Sequence, residues 1–152
     1  MDSATYSASS RLQAAGLQPA ITLFEEAART VPLPRGPQPI AIADYGAANG
    51  YNSLLPIGAA IAIVRERTRP DHAILVAHTD VADNAFTALF RTLADDPDSY
   101  LKKDAATFAS AVGRSFYTQI LPSHSIVLGW SSKWANTSPA QGSPAARSIV
   151  PA

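Results

Sequence analysis

The chain has 152 residues, 47% of them hydrophobic, and its twelve basic residues balance twelve acidic ones. This length suits one domain with a real core, and zero formal net charge argues against a nucleic-acid or membrane-surface partner. Because there is no cysteine, disulfides, thiolate nucleophiles and cysteine-based metal sites are excluded. The N-terminus lacks the pattern of a secretory signal and no apolar run reaches membrane-spanning length, so we expect a cytoplasmic protein.

The first forty residues predict one helix followed by a connector. Residues 1–10 are small and polar and predict no regular structure. The apolar spacing of Leu12–Thr30 predicts a helix with a kink or break near Gly16 and Pro19. Four prolines and one glycine in residues 31–39 exclude a regular helix there and indicate a connector.

The middle of the chain alternates between predicted strands and helices. Residues 39–44 and 72–79 are short apolar runs of the kind that form buried parallel strands. Asn52–Arg67 between them is a predicted helix with Pro56 in its first turn. A second helix is predicted over residues 84–93. Its large apolar side chains are expected to face inward: Phe86, Leu89, Phe90 and Leu93.

The C-terminal part is less regular. Residues 100–111 are a candidate helix, and residues 125–130 predict a third strand. Residues 135–152, rich in Ala, Ser and Pro, predict a flexible tail. Alternating strands and helices indicate an α/β fold with a parallel sheet and right-handed connections. In such sheets ligands bind outside the carboxyl ends of the strands, so the residues just after each strand are the candidates.

One candidate is the turn over residues 44–50, which begins with Asp44 after the first predicted strand. Gly46 can take a positive φ there, and its missing Cβ lets a ligand approach the backbone. An ordinary strand-to-helix turn would use the same glycine. The chain has no GxGxxG or GxxxxGK[ST] pattern, which argues against dinucleotide and nucleoside-triphosphate sites.

Further candidates follow the second strand and precede the third. Asp80 has two open interpretations: it could accept the hydroxyls of a ribose, or it could cap the helix at 84–93. Val81 could pack against an adenine face. Ser115 and Phe116 could bind an adenine amine and stack on its ring, although taken alone the pair is better explained by a core Phe.

The three histidines show no metal-ligand spacing, and no Ser-His-Asp set is defensible, so we nominate no metal ligand and no catalytic residue. His78 lies in an apolar strand, which favours a satisfied core histidine over a catalytic one. Methyl transfer is compatible with the lack of a base, because an acceptor carboxylate is already ionised at neutral pH. Such an enzyme mainly aligns oxygen, methyl and sulfur and excludes water.

Four stretches carry a family resemblance: YSASSRLQ (6–13), IADYGAANGYNS (42–53), TDVADNAFTALFRTL (79–93) and VGRSFYTQILPSHSIVLGWSS (112–132). In order and spacing they resemble motifs of the SABATH family, the salicylate, benzoate and jasmonate carboxyl methyltransferases. The resemblance spans nearly all of residues 6–132. It implies a class I, Rossmann-like methyltransferase domain over residues 1–134 that methylates a carboxylate of a small organic acid.

The resemblance also implies roles at matching positions. S-adenosyl-L-methionine is the implied donor. Its methionine end would meet the side of the site formed by Ser10, Asp44, Gly46 and Asn52. Its nucleoside end would meet Asp80 at the ribose and Val81, Ser115 and Phe116 at the adenine. The carboxylic acid acceptor would meet Gln13, Trp130 and Trp134.

The sequence also departs from the family pattern. Ser9 replaces an Asn, Ala47 replaces a Cys, and the segment after Ser132 does not follow the family's acceptor motif. Family members are more than twice as long, so their later strands and helical cap lack a counterpart here. Two alternatives follow: a truncated, inactive donor-binding or dimerisation module, or a Rossmann fragment for another nucleotide. Association as a homodimer, or through an exposed sheet edge, is a further expectation.

Overall fold

The computed structural model describes the backbone of residues 3–132 and the side chains from residue 17 onward. The helices are α1 (Ser3–Thr30), α2 (Leu54–Glu66), α3 (Phe86–Asp95) and α4 (Tyr100–Lys103). The strands are β1 (Ile40–Tyr45), β2 (Ile74–Asp80), β3 (Thr107–Gly113) and β4 (Leu128–Trp130). A single 3₁₀ turn over Tyr51–Ser53 leads into α2. In residues 3–132 no helix is long and apolar enough to cross a membrane.

The strands form one sheet of four in the order β3-β2-β1-β4, and every neighbouring pair is parallel. The predicted α/β fold with a parallel sheet and flanking helices is therefore confirmed. Because all strands run the same way, their carboxyl ends meet at one end of the sheet. The turn after β1 and the residues after β2 share that end.

The two faces of the sheet differ in what covers them. Ile40, Ile42, Ile74 and Val76 alternate along β1 and β2 and are fully buried in one core cluster with side chains of all four helices. Phe108 belongs to the opposite face by its register and is 55% exposed. Within the described residues the helices thus cover one face, and the other carries an exposed aromatic ring.

Arg65 joins three elements at the amino end of the sheet. Its guanidinium forms a two-pronged ion pair with Asp104, with N···O distances of 2.7 and 3.1 Å. It also donates to the carbonyl oxygens of Arg69 and His72, at 2.7 and 2.8 Å. The ion pair and its hydrogen bonds hold the pKa of Asp104 below its usual range. At this end of the sheet, these charged and polar groups are therefore hydrogen-bonded to one another.

Arg67 closes the C-terminus of α1 in the same way. Its guanidinium donates to the carbonyl oxygens of Ala28 and Val31, both at 2.7 Å. Carbonyls at a helix C-terminus have no intrahelical donor, so a cation there replaces one.

The start of the chain differs from its prediction. Helix α1 begins at Ser3 and runs through Gly16 and Pro19 without a break. No glycine or proline interrupts residues 3–15, and Pro19 removes only one backbone donor. Burial of Leu17 and Ile21 against α2 and the core offsets that loss.

Two further predictions were wrong. The candidate helix at 100–111 ends at Lys103, and Thr107–Gly113 is an edge strand instead. Pairing with β2 along the full strand overrides the helical propensity of its alanines. In α3 the predicted inward Phe90 is 43% exposed. The buried stripe runs through Leu89 and Leu93, four residues apart, and Phe90 lies one position away from it.

Candidate functional site

The turn over residues 44–50 is built on left-handed backbone. Gly46 has φ 73° and Gly50 has φ 80°, so the predicted positive φ at Gly46 is confirmed. The N–H groups of Gly46 and Ala47 both donate to the carbonyl oxygen of Thr79, at 2.8 and 2.9 Å. A side chain at Gly50 would bring its Cβ within 2.5 Å of a leucine methyl group on α3. The turn is therefore folded back onto the end of β2.

Ala48 at the crest of this turn is also left-handed, with φ 50°. Its N–H donates to Asp80 Oδ2 at 2.8 Å, and its carbonyl accepts from Asn84 Nδ2 at 2.9 Å. A non-glycine residue in this region costs about 1–3 kcal/mol and persists where its surroundings over-determine it. Such residues cluster at ligand sites, which makes this turn the first candidate for one.

Asp80 lies at the end of β2 and is only 6% exposed. Its Oδ1 accepts from Val81 N and its Oδ2 from Ala48 N, both at 2.8 Å. A carboxylate offers about four acceptor positions, so roughly half its capacity remains for a ligand. The capping interpretation is wrong: the N-cap of α3 is Ala85, with no side-chain capping bond.

Apolar and aromatic groups flank Asp80 and the turn. Val81 is 52% exposed, directly after the acid. The Phe116 ring meets Tyr45 edge-on, with ring centroids 6.4 Å apart, which places it beside the end of β1. Burial raises the pKa of Tyr45. Ser115 is exposed, and its hydroxyl accepts weakly from Tyr117 N at 3.4 Å.

A buried polar chain underlies the turn. Asp44 Oδ2 lies 2.7 Å from His78 Nδ1, and His78 Nε2 lies 2.7 Å from the Tyr100 hydroxyl. All three residues are at most 1% exposed. The prediction of a satisfied core histidine at His78 is confirmed. Its two partners were not predicted from the sequence, although Asp44 and His78 both lie near the carboxyl ends of their strands.

Two predicted site residues have neighbours that the sequence did not predict. Asn52 lines a cavity of about 440 Å³ together with residues of α1, α2, α4 and the loop before α4. Trp130 is 4% exposed and packs on Phe24, with ring centroids 5.3 Å apart. That position is in the core, where an acceptor-binding ring is not expected.

The structure does not describe the side chains of three other predicted site residues. Ser10 and Gln13 are in α1, in the stretch whose backbone alone is described. Trp134 lies outside the described residues, as does the predicted tail at 135–152.

A parallel α/β sheet with an acid at the end of β2, a glycine turn after β1 and no phosphate-binding glycine pattern is compatible with the Rossmann-like methyltransferases. The sequence profile described as SAM dependent carboxyl methyltransferase matches residues 1–143. The chain belongs to the SAM-dependent carboxyl methyltransferase family.

Similar proteins agree with this assignment. Methyltransferase FUS9 of Gibberella moniliformis is 30% identical over 128 residues, which are 83% of this chain and 34% of that protein. Methyltransferase LUC1 of a Fusarium species is 32% identical over 131 residues, 83% of this chain and 35% of that protein. The chain thus spans about a third of the length of the curated relatives it matches.

A solved structure of loganic acid methyltransferase with SAH superposes with a TM-score of 0.62 at 25% identity. It covers 78% of this chain, and the match covers 34% of that protein. The shared part therefore includes most of the sheet and helices described above.

Proposed function

We propose that the carboxyl end of this sheet binds S-adenosyl-L-methionine and that the chain is the donor-binding part of a carboxyl methyltransferase. The observation that carries the proposal is Asp80, a buried carboxylate at the end of β2 that keeps acceptor positions beside the turn with the left-handed Ala48. Two vicinal ribose hydroxyls are donors that such a carboxylate can bind.

The rest of the donor fits around Asp80. Val81 offers an exposed apolar surface for an adenine face, and Phe116 with Ser115 would offer a second wall beside the end of β1. In the turn at 44–50 Ala48 is exposed, and this part of the turn would face the methionine end. Beneath that turn, Asp44 supplies a negative charge for the donor's ammonium or sulfonium group.

The remaining implied contacts stay proposals of the same kind. Ser10 would meet the donor's carboxylate from α1, and Asn52 would approach from the 3₁₀ turn. Gln13, Trp130 and Trp134 are proposed for the acceptor, of which Trp130 would have to leave its contact with Phe24.

The proposed reaction joins the donor's methyl carbon to an acceptor carboxylate oxygen. The donor supplies an electrophilic methyl group on a sulfonium, which takes the bond electrons and leaves as a neutral thioether. The chain's contribution is positional: Asp80 and the turn fix the nucleoside, and the apolar walls exclude water. No proton has to be removed from an ionised carboxylate.

Binding and turnover test the two parts of this proposal separately. Calorimetric titration with S-adenosylhomocysteine should show one saturable site, and NAD should bind much more weakly. Methyl transfer is measured with labelled donor across small aromatic and aliphatic acids. Product formed by this chain supports the enzyme; donor binding without product supports a donor-binding module, and no donor binding contradicts the proposal.

A second candidate role is self-association, proposed from Phe108. This ring is 55% exposed on the face opposite the core cluster, and among the described strands β3 is an edge strand. An exposed ring on an unpaired edge favours contact with another chain. Light scattering after size exclusion should show a larger species for the parent than for Phe108→Lys. Leu23→Lys, at an exposed leucine on α1, is the matched control and should leave the size unchanged.

A further inference from the structure

His78 and Asp44 are brought together by strand register. Asp44 on β1 pairs directly with His78 on β2, so both side chains lie at the same level on the same face of the sheet. Tyr100, the first residue of α4, covers them from the helical layer. The ring planes of His78 and Tyr100 are nearly parallel, 14° apart. Three elements thus converge on one histidine.

The protons of this chain can be assigned from its partners. Burial and the negative charge of Asp44 raise the pKa of Tyr100, so its hydroxyl keeps a proton and donates to His78 Nε2. The accepting Nε2 leaves the ring proton on Nδ1, which donates to Asp44 Oδ2. Asp44 is bonded to His78 through Oδ2, and a carboxylate offers about four acceptor positions.

We propose that His78 is a positioning residue for the amino-acid end of the donor, acting through Asp44. A buried carboxylate without a hydrogen-bond donor is costly. The Nδ1–H bond gives the buried carboxylate of Asp44 a donor and fixes its orientation beneath the turn, and Tyr100 selects the tautomer that provides this bond. The inference rests on the proposed donor site and deepens it.

Two ligands distinguish a positioning role of His78 from a purely structural one. S-adenosylhomocysteine carries the charged amino-acid end, whereas 5′-methylthioadenosine has the same nucleoside and thioether without it. If Asp44 loses its fixed orientation, the affinity for the first ligand should fall and the affinity for the second should stay the same. A general loosening of the fold should weaken both alike.

The experiment titrates parent, His78→Leu, His78→Asn and Tyr100→Phe with both ligands by calorimetry, after circular dichroism confirms folding. We expect His78→Leu to lose about tenfold or more in affinity for S-adenosylhomocysteine, the scale of one charge-assisted hydrogen bond. Its affinity for 5′-methylthioadenosine should change less than about twofold. His78→Asn retains an N–H near Nδ1 and should recover most of the loss.

Several results would overturn the inference. One is parental affinity of folded His78→Leu for S-adenosylhomocysteine; another is an equal loss for both ligands. If His78→Leu does not fold, Tyr100→Phe decides: a selective loss of roughly threefold supports the proposal, and none or an equal one contradicts it. A parent that binds neither ligand would refute the donor site itself, and the inference with it.

Discussion

The two ends of this parallel sheet use charged residues for opposite purposes. At the amino end, the Arg65 guanidinium donates to the carboxylate of Asp104 and to a carbonyl before β2. The Arg67 guanidinium donates to a carbonyl at the C-terminus of α1. At the carboxyl end, Asp80 and Asp44 are also bonded, yet each retains acceptor capacity. Groups that satisfy one another stabilise a fold, whereas groups with unused acceptors beside strained backbone are placed to bind a ligand.

The largest expected effect comes from the carboxyl end. Asp80→Ala should weaken S-adenosylhomocysteine binding by about a hundredfold or more, because two ribose hydroxyls lose a charged acceptor at about 1.5–3 kcal/mol each. It also frees the N–H groups of Ala48 and Val81. Calorimetric titration measures the affinity, and thermal unfolding measures the accompanying change in stability.

The matched control is Asp83→Ala, an exposed acid three residues further on. It removes the same charge without touching the turn and should keep donor affinity within about threefold. Equal losses in the two variants would mean that overall charge, and not the ribose contact, governs binding.

At the amino end, removing Arg65 should change stability and leave ligand binding alone. The pair with Asp104 is mostly buried, with side chains 18% and 13% exposed. Arg65→Met should therefore lower the free energy of unfolding by about 2–3 kcal/mol, read from urea denaturation. The control is Arg91→Met, at an exposed position of α3. Its free energy of unfolding is expected within about 0.5 kcal/mol of the parent value. A tenfold loss of donor affinity in Arg65→Met would break the division between the two ends.

Acid should act through the same ion pair. The folded-state pKa of Asp104 is depressed, so its stabilisation is present above the ordinary Asp value of about 4. It is lost as the pH falls from there through the lowered pKa. Unfolding curves between pH 7 and pH 3 should show this decline in the parent. In Asp104→Asn the decline should be shallower, and identical slopes would show that the pair does not contribute.

The smallest effect should come from Val81. Val81→Ala removes two methyl groups from the proposed adenine wall, and about 1 kcal/mol of apolar contact corresponds to a loss of about fivefold in affinity. The control Leu23→Ala, at an exposed position of α1, should leave donor affinity unchanged. Unchanged donor affinity in Val81→Ala would leave Phe116 as the adenine wall.

The sheet and the carboxyl-end turn could be predicted because their signals are local. The apolar runs that became β1 and β2, and the glycine after Asp44, report their backbone state directly. The strand at Thr107–Gly113 could not be read in this way. Its alanines favour a helix, and only pairing with β2 makes it extended.

The finer contacts of the site join residues that are far apart in the sequence. Asp80 could be nominated for a ligand, but its bond to Ala48 joins residues 32 positions apart. His78 could be interpreted as a satisfied core residue, but Tyr100 as its partner required the register and the placement of α4. Burial of Trp130 against Phe24 likewise followed from packing of α1 on the sheet, which no local pattern encodes.

Hydrogen exchange of this chain with and without S-adenosylhomocysteine tests the division between the two ends most directly. Exchange reports local opening, so a bound ligand slows it where contacts form. We predict added protection in residues 44–50 and 80–86 at the carboxyl end, and none in residues 65–72 at the amino end. Protection that appears at the amino end, or that is absent from the turn after β1, would contradict the account.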